Sequence, residues 1–287
     1  MKRAVKNALM TAYLGSGFPP VRDRLYARFG FGRLTVLTYH QINDPANDHS
    51  TVSPAAFRQQ MEHLKQHYCV VPLEEAVAGV SRPGCVRRLV AITFDDGYQD
   101  NATIAAPILQ SLGLPAALFI ATNMIGSQRP FPHDVVQRRR RQDHLTWAQV
   151  RGLASQGFAI GSHTCSHVDL GAVSIDQAER ELRHSRLRIE DELGTPVRLF
   201  AFPYGHRRNM RPATMAAASR EYAICCSAFG GHNVLPCDPT NIRRIVISTG
   251  VTFLTFRALL EGWPMVRLDN PYRAPEDPLA TDQPLAS

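Results

Sequence analysis

Short apolar runs alternate with helical patterns along most of the 287-residue chain, and this alternation is the feature that most constrains its fold. Runs such as residues 34–39 and 89–94 predict buried strands, whereas Ile175–Leu193 repeats apolar residues at helical spacing. Strands that alternate with helices pair in parallel, and the helices cover the outer face of the sheet. We therefore predict an α/β fold, a distorted (β/α) barrel with one core.

Polar side chains follow several of these predicted strands directly. Asp95 and Asp96 follow one run, His163 follows another, and His40 follows the first. The C-terminal ends of parallel strands meet at one face of a barrel, where enzymes of this architecture carry their catalytic groups. We therefore expect these side chains to share a pocket.

The residue types in that pocket are those of a hydrolytic metal site. His167 lies four residues after His163, so one helical turn would bring both imidazoles to one ion. Two imidazoles and one carboxylate leave an open position for water on a divalent metal, with zinc the expected ion, and a second carboxylate can take the proton of that water. By itself, an Asp-Asp-Gly sequence more often forms a turn, and two histidines four residues apart are weak evidence for a metal site. Together the two motifs predict a metal-dependent hydrolase.

Three motifs resemble those of the polysaccharide deacetylases, the NodB-homology carbohydrate esterases, which remove acetyl groups from glycans. They are Thr-Phe-Asp-Asp-Gly-Tyr at 93–98, Gly-Ser-His-Thr-Cys-Ser-His at 161–167 and Phe-Pro-Tyr-Gly at 202–205. The resemblance implies the distorted barrel of that family and an N-acetylated glycan substrate. It implies that Asp95 is the general base and that Asp96, His163 and His167 hold the metal. It further implies that the backbone N–H of Tyr204 is an oxyanion donor.

The chain departs from the family at Ala201, where an arginine that orients the base is common. This version of the motif resembles the poly-N-acetylglucosamine deacetylase branch, in which the motif order is permuted and the acid histidine ends an N-terminal Leu-x-Tyr-His segment. By that resemblance His40 is the general acid; the alternative is a strand-end histidine that bonds a backbone carbonyl. Arg243 or Arg244 could replace the missing arginine, and Arg244 is our choice.

Composition adds the outline of the chain. With 44% hydrophobic and 20% charged residues it is an ordinary globular protein, which we divide into a basic N-terminal segment (1–30), a catalytic domain (31–268) and a flexible tail (269–287). The net charge is +7, and part of it is an arginine run at 138–141 in a loop predicted to lie over the barrel mouth. No aromatic residues interleave the basic clusters, so we expect no specific nucleic-acid partner.

The cysteines and the N-terminus bear on location. Six scattered cysteines without a C-x-x-C pair predict reduced thiols, and the interrupted apolar stretch at the N-terminus is a poor signal peptide, so we expect a cytoplasmic protein. Val5, Ala8, Leu9 and Ala12 would share one face of a short basic helix. The segment is therefore either a frayed terminus or a peripheral membrane contact.

Two other functions fit the same residues. A metal-dependent amidase acting on a non-glycan amide would use the same site, because that site suits any acyl transfer to water. A catalytically silent glycan-binding protein would keep the barrel, and Ala201 favours this alternative. The intact set of Asp95, Asp96, His163 and His167 argues against it.

Overall fold

The computed structural model describes residues 2–43, 50–79, 88–131 and 143–263. The arginine run at 138–141 and the tail at 269–287 lie outside these ranges. The strands of the described part are Gly32–Tyr39 (β1), Gln41–Ile42 (β2), Thr51–Val52 (β3), Cys69–Val70 (β4), Arg88–Phe94 (β5), Ala117–Ile120 (β6), Ala159–Ser162 (β7), Leu199–Ala201 (β8), Ile224–Cys226 (β9), Asn233–Leu235 (β10) and Ile245–Val246 (β11). Its α-helices are Lys2–Gly15 (α1), Phe18–Arg28 (α2), Pro54–His67 (α3), Leu73–Val77 (α4), Ala106–Leu112 (α5), Trp147–Ser155 (α6), Ile175–Leu193 (α7), Pro212–Glu221 (α8) and Phe253–Leu260 (α9).

The main sheet curls into the predicted distorted barrel. Strands β1, β5, β6, β7, β8 and β9 lie side by side in that order, and each neighbouring pair is parallel. Ile242 then forms a parallel bridge to Cys226 at the end of β9, and β11 pairs with β1. The chain around Ile242 therefore connects the last strand back to the first. The carboxyl ends of all these strands lie at one face of the barrel, which we call the mouth.

Alternating side chains of the strands build two separate cores. Leu89 and Ala91, at alternate positions of β5, point inward and join Phe119 and Leu199 in a hydrophobic cluster inside the barrel. The side chains at the intervening positions point outward and pack against the surrounding helices in a larger cluster. The interior is narrow, since a Cβ atom at Gly161 would lie 2.7 Å from the ring of Phe119. Residues just beyond the strand ends that continue this inward alternation therefore point their side chains into the mouth.

The structure differs from the sequence-based prediction at the edges of the barrel. Residues 242–248 do not form one continuous strand: only Ile245–Val246 pairs as a strand, because the chain changes its partner from β9 to β1 within this stretch. The helical segment that ends at Leu112 includes a π-helical turn, Asn101–Ala105, before α5. The N-terminal segment forms two helices rather than a frayed end. Within the described part, no helix has both the length and the apolarity that a membrane crossing requires.

One cysteine contradicts the expectation of reduced thiols. Cys69 is disulfide-bonded. The free cysteines of the described part are Cys165, Cys225, Cys226 and Cys237. Whether two cysteines can pair depends on the distance between their Cα atoms, which spacing along the chain does not show.

Candidate active site

Asp95 and Arg244 form a buried ion pair in the mouth of the barrel. Asp95 follows β5 and continues the inward alternation of its side chains. Its two carboxylate oxygens accept hydrogen bonds of 2.7 and 2.8 Å from Nη1 and Nη2 of Arg244. The guanidinium is fully buried, lies over the ring of Phe119, and donates through Nε to the carbonyl of Ser227. Burial by itself raises the pKa of Asp95, but the charges of Arg244 and then His163 lower it below its ordinary value. Asp95 is therefore held as a carboxylate by Arg244, and the replacement of the missing motif arginine by Arg244 stays a prediction.

A tight turn directs Asp96 into the same space. Adjacent residues of a regular strand point to opposite sides, but Asp96 and Gly97 both adopt left-handed backbone conformations, with φ of 74° at each. This conformation is costly for a residue other than glycine, and such strain is concentrated at functional sites. The turn lets Asp95 and Asp96 aim at one pocket although they are consecutive.

The two histidines come together differently from the predicted helical turn. Residues 163–167 form an irregular loop after β7, in which Thr164 and His167 have left-handed φ values of 65° and 55°. The carboxylate of Glu181 on α7 accepts hydrogen bonds of 2.8 and 2.9 Å from the backbone N–H groups of Cys165 and Ser166. These bonds satisfy the loop's backbone from outside, so no helix is required.

The residues Asp96, His163 and His167 fit a divalent metal ion. Their candidate ligand atoms all lie within 4.8 Å of one another and all three side chains are buried. Nδ1 of His163 donates to the carbonyl of Ala201 at 2.7 Å, which leaves Nε2 with its lone pair toward Asp96. Oδ1 of Asp96 lies 3.5 and 3.2 Å from Nε2 of His163 and His167, and it has no hydrogen-bond partner in the described part of the chain.

The electrostatics of Asp96 and His167 favour the protonation states that a metal requires. Burial by itself raises the pKa of Asp96, but the imidazoles of His163 and His167 bring it well below its ordinary value. Burial lowers the pKa of His167 more than Asp96 raises it. A carboxylate beside neutral imidazole is the form in which these groups bind metal.

His40 lies at the end of β1, beside the two carboxylates. Its positive charge is among the influences that lower the pKa values of both Asp95 and Asp96. Its backbone carbonyl accepts a 2.8 Å hydrogen bond from Nδ2 of Asn101. Its ring Nδ1 is buried without a hydrogen-bond partner among the described residues, so this nitrogen does not bond the backbone carbonyl that the alternative interpretation requires. The position is compatible with the predicted general acid.

Two aromatic rings enclose His167. Tyr204, with a left-handed φ of 61°, packs edge-on at 4.9 Å between ring centroids, and the buried Phe131 lies at 4.8 Å. Tyr204 was predicted at the site from its motif, and its role as an oxyanion donor stays a prediction. Phe131 was missed, as were Glu181 and the half-buried Asp100. The Pro-Phe-Pro sequence around Phe131 was the only local signal for any of them.

The comparison with known proteins gives this site its context. A family model described as polysaccharide deacetylase matches residues 85–223. Residues 85–223 are a polysaccharide deacetylase domain. All three motifs on which the resemblance was based fall inside this match, whereas His40 and Arg244 lie outside it. The predicted enzyme class, a carbohydrate deacetylase that acts by hydrolysis, is thereby confirmed.

Several relatives extend the similarity over most of the chain. YxkH of Bacillus subtilis, named for the same family, is 25% identical over 80% of this deacetylase and 77% of its own length. The poly-β-1,6-N-acetyl-D-glucosamine N-deacetylase of Staphylococcus epidermidis is 24% identical over 79% of this chain and 82% of its own. The solved structure of the deacetylase PplD of Streptococcus pyogenes, in complex with acetate, has a TM-score of 0.67 at 24% identity and covers 81% of this chain and 98% of its own. This last similarity shows the shared fold and confirms the predicted barrel.

Proposed function

We propose that this protein removes acetyl groups from N-acetylated glycans and that Asp96, His163 and His167 hold the zinc ion on which the reaction depends. The observation that carries the proposal is the division of the two adjacent carboxylates. Asp95 is ion-paired to Arg244, while Asp96 faces two imidazoles with an oxygen that accepts no hydrogen bond from the described residues. One carboxylate and two imidazoles form a donor set typical of catalytic zinc. The family supports the glycan substrate.

In the proposed mechanism each residue has one task. A bound divalent ion would supply polarisation of a water molecule and of the acetamide carbonyl. Asp95 takes the proton from the attacking water, since Arg244 keeps its carboxylate ionised and each oxygen retains a lone pair beyond the one used in the ion pair. The backbone N–H of Tyr204 donates to the carbonyl oxygen as it becomes negative, and loss of one such donor typically costs about 3 kcal/mol in the barrier. His40 donates a proton to the departing amine nitrogen.

The test is acetate release from N-acetylated oligosaccharides, with and without a chelator and with zinc restored afterwards. We expect chelation to abolish acetate release and zinc to recover it. Asp95→Asn should reduce turnover by about 10²- to 10⁴-fold and leave zinc occupancy intact, since this side chain is a base and not a ligand. Asp96→Ala should instead lose bound zinc, as measured by elemental analysis. Equal zinc loss in both variants would contradict the division of roles.

The same assay separates the two alternative functions. A metal-dependent amidase with another substrate would hydrolyse simple N-acetyl amides and leave every oligosaccharide of the panel intact. A silent glycan-binding protein would bind oligosaccharides and release no acetate from them with zinc present.

We also propose that the N-terminal segment makes the peripheral membrane contact that its sequence left open beside a frayed terminus. The cytoplasmic location stays a prediction, and the disulfide at Cys69 weighs against it, because structural disulfides are rare in reducing compartments. Thiol labelling of the protein in intact cells, with and without prior reduction, tests the location.

A further inference from the structure

The first two helices present an unusual amount of apolar surface to solvent. Seven of the eleven exposed large hydrophobic side chains in the described part of the chain belong to residues 5–31. They are Val5, Leu9, Phe18, Val21, Leu25, Phe29 and Phe31, each between 44% and 67% exposed. We call these seven residues the basal apolar face. Single exposed apolar residues are ordinary, but a contiguous set marks an interaction surface.

The spacing of these residues shows that they form continuous stripes. On α2, Phe18, Val21 and Leu25 follow one another at intervals of three and four residues and thus share one side of the helix. On α1, Val5 and Leu9 lie one helical turn apart. The stripe on α2 is absent from the sequence-based expectation, which concerned the first dozen residues alone.

Other side chains of the same helices are fixed to the barrel, so the exposed side is not a consequence of loose packing. Met10 is fully buried, and the hydroxyl of Tyr13 donates a 2.8 Å hydrogen bond to the carbonyl of Glu261. Arg22 donates to the same carbonyl at 2.9 Å. The ring of Tyr13 also contacts that of Trp263 edge-on at 5.2 Å. The helices therefore hold the basal apolar face outward as a rigid surface.

Positive charge flanks this face. Arg24 and Arg28 are exposed, lie one turn apart on α2, and form no ion pair or hydrogen bond with the described residues. Asp23 is the single acidic residue among the first thirty, and it is already paired with Arg33 and Arg88. Apolar side chains with arginines at their edge complement an anionic lipid surface, in which the apolar groups enter the interface and the guanidinium groups meet phosphates.

The face lies at the end of the barrel opposite the mouth. α2 leads directly into the start of β1 at Gly32, whereas His40 follows the other end of that strand. A strand of eight residues spans about 26 Å at about 3.3 Å per residue. We infer that the basal apolar face docks on an anionic phospholipid bilayer and directs the mouth away from it, toward glycan segments distant from the bilayer surface. The direction of the mouth rests on the proposed function; the lipid binding does not.

The experiment is co-sedimentation of the full chain with vesicles of phosphatidylcholine alone or mixed with phosphatidylglycerol. We expect binding to the anionic vesicles only. The triple variant Val21→Ser, Leu25→Ser, Phe29→Ser should lower the partition coefficient at least about tenfold, because each replacement removes apolar area from the interface. Arg24→Gln with Arg28→Gln should reduce the preference for anionic vesicles by about fivefold per charge.

The matched control is Ile175→Ser with Leu187→Ser, two exposed apolar residues of α7, which should bind vesicles like the unaltered protein. All variants should keep their unfolding temperature and their acetate release from a soluble oligosaccharide. Equal binding by the triple variant and the control would overturn the proposal. So would self-association without vesicles that the triple variant abolishes, since the face would then join two copies of the chain. Binding is measured without substrate, so failure of the proposed deacetylase activity would not affect the result.

Discussion

Replacement of Arg244 by glutamine should weaken both the stability and the chemistry of this protein. The guanidinium makes two short hydrogen bonds to Asp95, one to the carbonyl of Ser227, and a longer one of 3.3 Å to Oγ1 of Thr93. Asp95 is only 4% exposed, so little water can replace the lost donors. Removal of one partner from a buried ion pair costs about 3–5 kcal/mol, because the remaining charge is left uncompensated. We expect a loss of that size at neutral pH.

The pH dependence gives a sharper expectation than the loss itself. In the unaltered protein the folded-state pKa of Asp95 is lowered, so its contribution to stability is present above the unfolded pKa, near 3.9, and is lost as the pH falls through the folded value. Without Arg244, the largest lowering influence is gone and burial raises the pKa of this carboxyl. The stability difference between the two proteins should therefore shrink as the pH falls toward 4. The acid limb of the kcat/KM profile should move to higher pH, since the base must be ionised.

Urea unfolding at pH 4 to 8 and the pH profile of acetate release measure both effects. Arg243→Gln is the control, because this neighbouring side chain is exposed and should tolerate the change within about 0.5 kcal/mol. Arg244→Lys keeps the charge but not the bidentate pair, so it should fall between the two proteins. The reasoning about this pair would be refuted if Arg244→Gln lowered the free energy of unfolding by less than about 1 kcal/mol at pH 7. It would also be refuted if the acid limb of the kcat/KM profile stayed at the same pH.

Three further predictions follow from neighbouring contacts. Glu181→Ala removes the acceptor of two backbone N–H groups in the loop that carries His163 and His167, and it should weaken zinc binding about tenfold. Glu181→Gln keeps an acceptor oxygen, so its zinc affinity, measured by titration calorimetry, should be closer to that of the unaltered protein. Burial raises the pKa of Asp100 to about 7, so this carboxyl destabilises the folded state increasingly as the pH rises from about 4 to about 7. Asp100→Asn should therefore gain up to about 4 kcal/mol in the free energy of unfolding at pH 8 and progressively less toward pH 4, as measured by urea unfolding. A gain that does not depend on pH would reject this cause. His40→Gln should lower kcat about 10²-fold or more while zinc occupancy stays unchanged, whereas zinc loss would make His40 a ligand.

Local patterns were sufficient for much of this protein. Strands and helices recur with their own periodicities, which predicted the α/β barrel. The capping box of Thr146 and Gln149 at the start of α6 is likewise a local sequence pattern. Asp96 and His163 were predicted because they follow strands whose carboxyl ends lie at the mouth, and His167 because it lies four residues after His163. Asp96 and His163 needed only this rule and the motifs around them.

Other features depended on contacts between distant parts of the chain. Arg244 reaches Asp95 across 149 residues, and only the change of strand partner around Ile242 gives its side chain an inward direction. His167 meets His163 through an irregular loop supported by Glu181, for which no periodicity exists. The basal apolar face likewise required the structure, because exposure is decided by which side of a helix packs against the barrel. The sequence alone determined the kinds of groups at the strand ends; tertiary packing decided their directions, their charges and which apolar residues were left in solvent, since these properties depend on neighbours far away in the chain.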